Sequence, residues 1–223
     1  MSRHIIITTC TKNKSTEHMP EAKQIVPSDY LPHPASVSVL ESTREEVLAM
    51  PGSAYNPAYS QHYAFDLYVR EPKTQLYEKL REEGRDRRIL ARLLHGGLIG
   101  GELATEDNSV DWFFLTAGYG LLHVLELARP YQASFTRTIA KKNGIPDTKT
   151  IWKRVLPGLL DVVFATAPVT SVHVFGSSEY VAMVQETWLY KTSPKLFEVH
   201  QGRANKPSLR SDLSATVLRL YGV

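Results

Sequence analysis

The chain has 223 residues, of which 43% are hydrophobic and 22% charged, and its 26 Lys and Arg against 23 Asp and Glu give a net charge of +3. That length suits one domain of 1–223, and the composition excludes disorder and collagen-like repetition. A mildly basic balance permits nucleic-acid binding without requiring it. A single cysteine, Cys10, excludes an intramolecular disulfide and a cysteine-built zinc site. No run approaches the roughly 20 apolar residues of a membrane helix, because the longest, Val155–Val169, is broken by Pro157, Gly158 and Asp161. With no signal-peptide pattern at the start, a cytoplasmic, membrane-free protein is expected.

In chain order, His4–Thr9 is a continuous β-branched run, the pattern of a strand buried on both faces of a parallel sheet. Residues 18–61 carry Pro20, Pro27, Pro32, Pro34, Pro51 and Pro57 and read as an irregular insertion, except that Ser42-Thr43-Arg44-Glu45 has capping-box spacing and predicts a short helix start. Thr74–Leu94 is amphipathic and stops at Gly96-Gly97; its arginines 81, 85, 87, 88 and 92 are balanced by Glu78, Glu82 and Glu83, which favours a solvated face over a nucleic-acid patch. Trp112–Thr116 predicts a second strand running into a loop, 117–122. Ile151–Ala165 predicts a buried helix with an interruption at Pro157. Val172–Phe175 predicts a third strand, Ser178–Leu189 a helix capped by Ser177 or Ser178, and Leu196–His200 a fourth, weaker strand. Strands separated by helices imply crossovers, so the expected fold is α/β, a three-layer α/β/α domain on a small four-stranded parallel sheet.

In such a sheet ligands bind beyond the carboxyl ends of the strands. The first loop, Cys10-Thr11-Lys12-Asn13-Lys14, sets Lys12 and Lys14 where phosphates bind, though a solvated turn around Asn13 fits equally. Gly118-Tyr119-Gly120 offers close backbone approach and a ring for stacking on a base, or a plain turn; Arg129-Pro130-Tyr131 adds a second ring. Ser177 and Ser178 open a helix and suit either an anion or a simple cap. Arg203, Asn205 and Lys206 follow the fourth strand. Carboxylates able to position a water are Glu17, Glu21 and Glu179. Phosphate-binding, dinucleotide and hydrolase-elbow motifs do not occur. The eight histidines show no metal-ligand spacing, so neither metal nor cofactor is expected. Cys10 reads as a packed thiol rather than a nucleophile.

Cys10-Thr11-Lys12-Asn13-Lys14, Thr116-Ala117-Gly118-Tyr119-Gly120-Leu121-Leu122 and Pro130-Tyr131 together resemble the DUF6884 family of bacterial and phage proteins, from the first strand to about Phe135. The likeness departs at Arg129 and Gln132, where that family commonly has an acidic residue, and in the longer proline-rich stretch. More distantly the chain is similar to the uracil-DNA-glycosylase-like superfamily, whose small parallel sheet takes an extruded base at its strand ends. The resemblance implies a DNA glycosylase: a hydrolase cleaving the N-glycosidic bond of a nucleobase, a modified one in phage DNA, in antiviral defence. On that reading Lys12, Lys14, Ser177, Ser178, Arg203, Asn205 and Lys206 hold phosphates, Tyr119 and Tyr131 stack on the flipped base, and Asn13, Glu17, Glu21, Tyr119 and Glu179 are the catalytic candidates. The alternatives are a non-catalytic DNA-binding stress-response protein using the same basic loops and an enzyme acting on free nucleotides or nucleosides.

Overall fold

The computed structural model describes residues 2–9, 24–68, 108–202 and 207–221. Within them the centre is a mostly parallel sheet built on β1 (Ser2–Thr9), which pairs in parallel with β3 (Asn108–Thr116) and with β6 (Ser171–Gly176). β7 (Phe197–Gln201) extends β6 in parallel, and β4 (Gly120–His123) folds back antiparallel on β3, giving the order β4-β3-β1-β6-β7. The four parallel strands contain the expected runs, except that β7 begins at Phe197 and leaves Leu196 in the turn before it. The expected count of four is corrected to five, because the residues assigned to a loop after the second strand turn at once into an edge strand whose four residues are all buried. A small ladder of β2 (His62–Tyr63) with β5 (Leu127–Ala128) lies apart.

The isoleucine run needs no polar alternation because both faces of β1 are covered: Ile5, Ile6 and Ile7 are at most 1% exposed. The register puts Ile6, Trp112, His173 and Glu198 on one face. There α3 (Ala64–Tyr68) sets Phe65 against Trp112 and Tyr68 against Phe114, with ring centroids 5.6 and 5.3 Å apart. Farther along the same face α8 (Pro207–Tyr221) lies on β6 and β7. On the other face α5 (Lys149–Ala165) accepts Arg3 Nη1 at the Val163 carbonyl, 3.0 Å, and sets Phe164 against Phe197. Arg3 Nε donates to Asp111 at 2.7 Å, pairing two charges that the sheet would otherwise bury alone.

Three helix expectations change. The Ser42–Glu45 box is not a start: α2 runs from Pro34 to Leu48, and the Ser42 and Thr43 hydroxyls donate back to the Val39 carbonyl as interior residues do. The prolines misled because they sit at helix entries, Pro27 opening α1 (Pro27–Tyr30) and Pro34 opening α2, where a missing N–H costs nothing. Tyr30, Leu31, Leu40, Val47 and Leu48 are buried, so within the described residues 24–61 the stretch expected to be irregular sends a helix, α2, against the core. Second, α5 passes through Pro157 unbroken, since burial of Trp152, Leu156, Leu159, Leu160 and Val163 outweighs one lost backbone bond. Third, Ser178–Leu189 divides into α6 (Ser178–Gln185) and α7 (Trp188–Thr192). Thr187 caps α7 by accepting from the Tyr190 amide, and the Asp161 carboxylate accepts from the Trp188 amide at 2.9 Å. Between β5 and α5 lies a short α4 (Arg137–Asn143), closed by Gly144 in the left-handed region. The Thr74–Leu94 helix expectation lies outside the described residues. Among those described, no helix is long and apolar enough to cross a membrane.

Candidate functional site at the carboxyl edge of the sheet

The four parallel strands leave the centre in two directions. From β1 the chain goes first to β3 on one side and later to β6 on the other, so the reversal falls between β1 and β6. Loops diverge at such a switch point and leave a crevice beyond the strand ends. Here those ends are Thr9 and Gly176. They approach so closely that a Cβ on Gly176 would overlap the Thr9 methyl, and the Gly202 amide donates to the Gly176 carbonyl at 2.8 Å, joining the end of β7 to the same edge. Lys12, Asn13, Lys14, Glu17, Glu21, Arg203, Asn205 and Lys206 lie outside the described residues.

Glu179 stands at this edge, in the first turn of α6. The Ser177 and Ser178 hydroxyls donate to its Oε2 at 2.9 and 3.2 Å. Partial burial alone would raise its pKa, but hydrogen bonds from its own backbone amide and both serines, and the charge of Lys149 at the start of α5, hold it below the ordinary carboxylate value. The serine hydroxyls therefore serve an internal carboxylate that occupies the position at the helix start where a phosphate was expected. Beside it, the rings of Phe135 and Tyr180 pack at 4.5 Å.

The aromatic pair behaves differently. Tyr119 and Tyr131 are 7% and 5% exposed and meet edge to face, 5.5 Å between centroids, so their rings are packing elements rather than a platform for a flipped base. The Tyr119 hydroxyl accepts from the Arg129 amide at 2.8 Å and lies 3.3 Å from the Arg129 carbonyl; burial raises its pKa to about 12. The flanking glycines have the same origin. A Cβ on Gly118 would strike the Tyr131 ring, and one on Gly120, at φ +64°, would strike Trp152. The close approach that the motif promised is to the protein's own rings.

Arg44 fixes this turn from α2. Buried, it donates to the Tyr119 and Leu121 carbonyls and pairs with Glu126, which also accepts from the Tyr30 hydroxyl at 2.9 Å and the His123 amide at 3.2 Å. Its guanidinium lies 5.7 Å from the centroid of the Tyr119 ring. Burial pushes His123 down to about 3, so it is neutral, and its Nδ1 accepts from the Leu125 amide.

One cluster escaped spacing arguments. His4, Ser171, His173, Glu198 and His200 stand on adjacent strands and share a face, with His4 and Ser171 at its amino edge. Polar residues at alternate positions of otherwise apolar runs were the visible signal, but only the register joins them. Among the described residues, no group of three or more His, Cys, Asp or Glu is placed to hold a metal ion. Comparison of the chain with known protein families and with curated proteins gave no match to either.

Proposed function

We propose that the chain is an N-glycosidase that excises a modified nucleobase from DNA at the β1–β6 crevice, on a three-layer fold of the uracil-DNA-glycosylase-like kind, in defence against phage. The observation that carries this reading is Glu179: a half-buried carboxylate kept ionised at the switch point of a parallel sheet. The four parallel strands and the helices on both faces support the fold. When an N-glycosidic bond breaks, its electron pair leaves with the base and positive charge develops on the sugar. A fixed carboxylate stabilises that charge and orients a water, taking its proton as the new carbon–oxygen bond forms. Lys149 is near enough to act on Glu179 electrostatically and would meet a phosphate or the departing base. Lys12 and Lys14, which follow Thr9 in the sequence, suit the DNA backbone, which leaves recognition of the base to groups other than Tyr119 and Tyr131.

The test is abasic-site formation. Protein is incubated with plain DNA, uracil-containing DNA and phage DNA carrying modified pyrimidines, then alkali cleaves any abasic site. Strand breaks on one modified DNA are expected, falling about 10²-fold or more in Glu179→Gln. No breaks on any DNA, together with salt-sensitive binding, would overturn the reading in favour of a non-catalytic binder, since phosphate contacts release counterions.

A further inference from the structure

The amino edge of the sheet carries chemistry of its own, on atoms remote in sequence from Glu179. Ser171 opens β6 after an exposed approach, 165–168 and Thr170, and is itself half-buried. Two imidazoles converge on its hydroxyl: His4 Nδ1 at 2.7 Å and His173 Nε2 at 2.8 Å. The other nitrogen of His173, Nδ1, lies 2.9 Å from Glu198 Oε2 on β7, a close polar contact whose N–H is not aligned as in a finished hydrogen bond. Glu198 is held in turn by His200 Nε2 at 3.0 Å and by Arg219 of α8 at 3.8 Å, and His200 Nδ1 reaches Asp212 of α8 at 3.4 Å.

Proton counting orders the network. A serine hydroxyl has one proton and donates to one imidazole only. A carboxylate accepts only, so the His173 nitrogen facing Glu198 carries hydrogen. Neutral His173 then presents a bare Nε2, Ser171 donates to it, and His4 donates to the Ser171 oxygen. That is the arrangement of an activated hydroxyl: nucleophile in hydrogen-bond reach of a base, and the base oriented by a carboxylate.

We propose that Ser171 is a second reactive centre, a serine nucleophile with His173 as its base and Glu198 as the group that orients His173, acting on small activated carboxylic esters. Oγ attacks the carbonyl carbon while its proton passes to His173 Nε2. The tetrahedral intermediate expels the alcohol, which takes that proton, and water repeats the sequence to release the acid and restore Ser171. This assignment does not depend on the glycosidase reading. Burial lowers the His173 pKa from its ordinary value against the pull of Glu198, and Arg219 and His4 act in the same direction as burial, so the base is free at neutral pH.

A fluorophosphonate probe tests it on the full chain, because phosphonylation forms an Oγ–P bond, expels fluoride and uses the same proton transfer. The expected result is one adduct per chain, mapped by peptide mass to Ser171, formed at a level rate above neutrality and more slowly in acid as His173 takes up a proton. His173→Gln is expected to slow labelling about 10²-fold or more. An adduct absent from Ser171, or forming equally fast in folded His173→Gln, would overturn the proposal and leave the network as an anchor for α8. Should His173→Gln not fold, the acid limb of labelling in the unaltered chain decides: no fall in acid overturns the assignment.

Discussion

The segments at the carboxyl ends of β3 and β6, Ala117–Gly120 and Gly176–Glu179, look alike in sequence: small residues closing a buried apolar strand, one large side chain among them, Tyr119 or Glu179. Folded, they are opposites. In the first, Tyr119 turns inward against Tyr131 and Arg44, its hydroxyl engaged by the Arg129 backbone, and β4 begins at once. In the second, the chain enters a helix and presents Glu179, half-buried and held by two serine hydroxyls. Glycine at a strand end signals a close approach, but what approaches is set by the next element: a returning strand brings core rings, whereas a helix brings free amide groups and a dipole that favours an anion.

The largest way to break the contrast is through Arg44. If the Ala117–Gly120 turn is architecture, Arg44→Met should destabilise the fold by about 3–5 kcal/mol, because Glu126 is left buried and uncompensated. Urea unfolding followed by tryptophan fluorescence measures this; a loss under about 1 kcal/mol would mean the turn holds itself. Next comes Gly120→Ala. Its Cβ overlaps Trp152 at a left-handed φ, so overpacking of about 1–3 kcal/mol adds to roughly 1 kcal/mol of backbone strain. A neutral result in thermal melts would show that the turn is loose enough to admit a ligand after all.

A smaller effect is expected of Tyr119→Phe, which keeps the ring and deletes a hydroxyl bonded to the Arg129 backbone. Leaving the Arg129 amide without its acceptor should cost about 1–2 kcal/mol of stability, with abasic-site formation unchanged at a temperature where the variant is folded. A loss of DNA cleavage without a loss of stability would return Tyr119 to the site.

What was legible follows from how much each element must declare. Ile5–Ile7 and Trp112–Leu115 had to be continuous and apolar because both faces are covered. β4 declared nothing: a four-residue edge strand after a three-residue turn has the composition of a loop, and only its pairing with Phe113–Thr116 distinguishes it. α2 was hidden because its entry proline was read as a breaker. For the site, Glu179 was visible as a carboxylate after a strand, but not as the partner of Ser177 and Ser178, since a cap and a clamp share one sequence. The Ser171–His173–Glu198 contacts depend on β6 and β7 pairing His173 with Glu198, a register that residues 25 positions apart do not announce.

The finest test separates a cap from a catalytic group at Glu179 itself. Its folded pKa is depressed, so the ionised carboxylate contributes stability that is present above the ordinary carboxylate range and is lost as pH falls through the folded value. The residue is half-buried, and an anion in the first turn of a helix near the surface is worth about 0.3–1 kcal/mol. Glu179→Gln should therefore lower stability at pH 7 by no more than about 1 kcal/mol, and the gap between variant and parent should close in acid as the parent's carboxylate protonates. Glutamine still accepts from both serines, so the turn survives while the charge is gone. If Glu179 acts on substrate, this variant combines the smallest stability change of the series with the largest loss of DNA cleavage, the reverse of Tyr119→Phe. If it is only a cap, cleavage follows the small stability change and no more, and the two strand ends differ in exposure but not in kind.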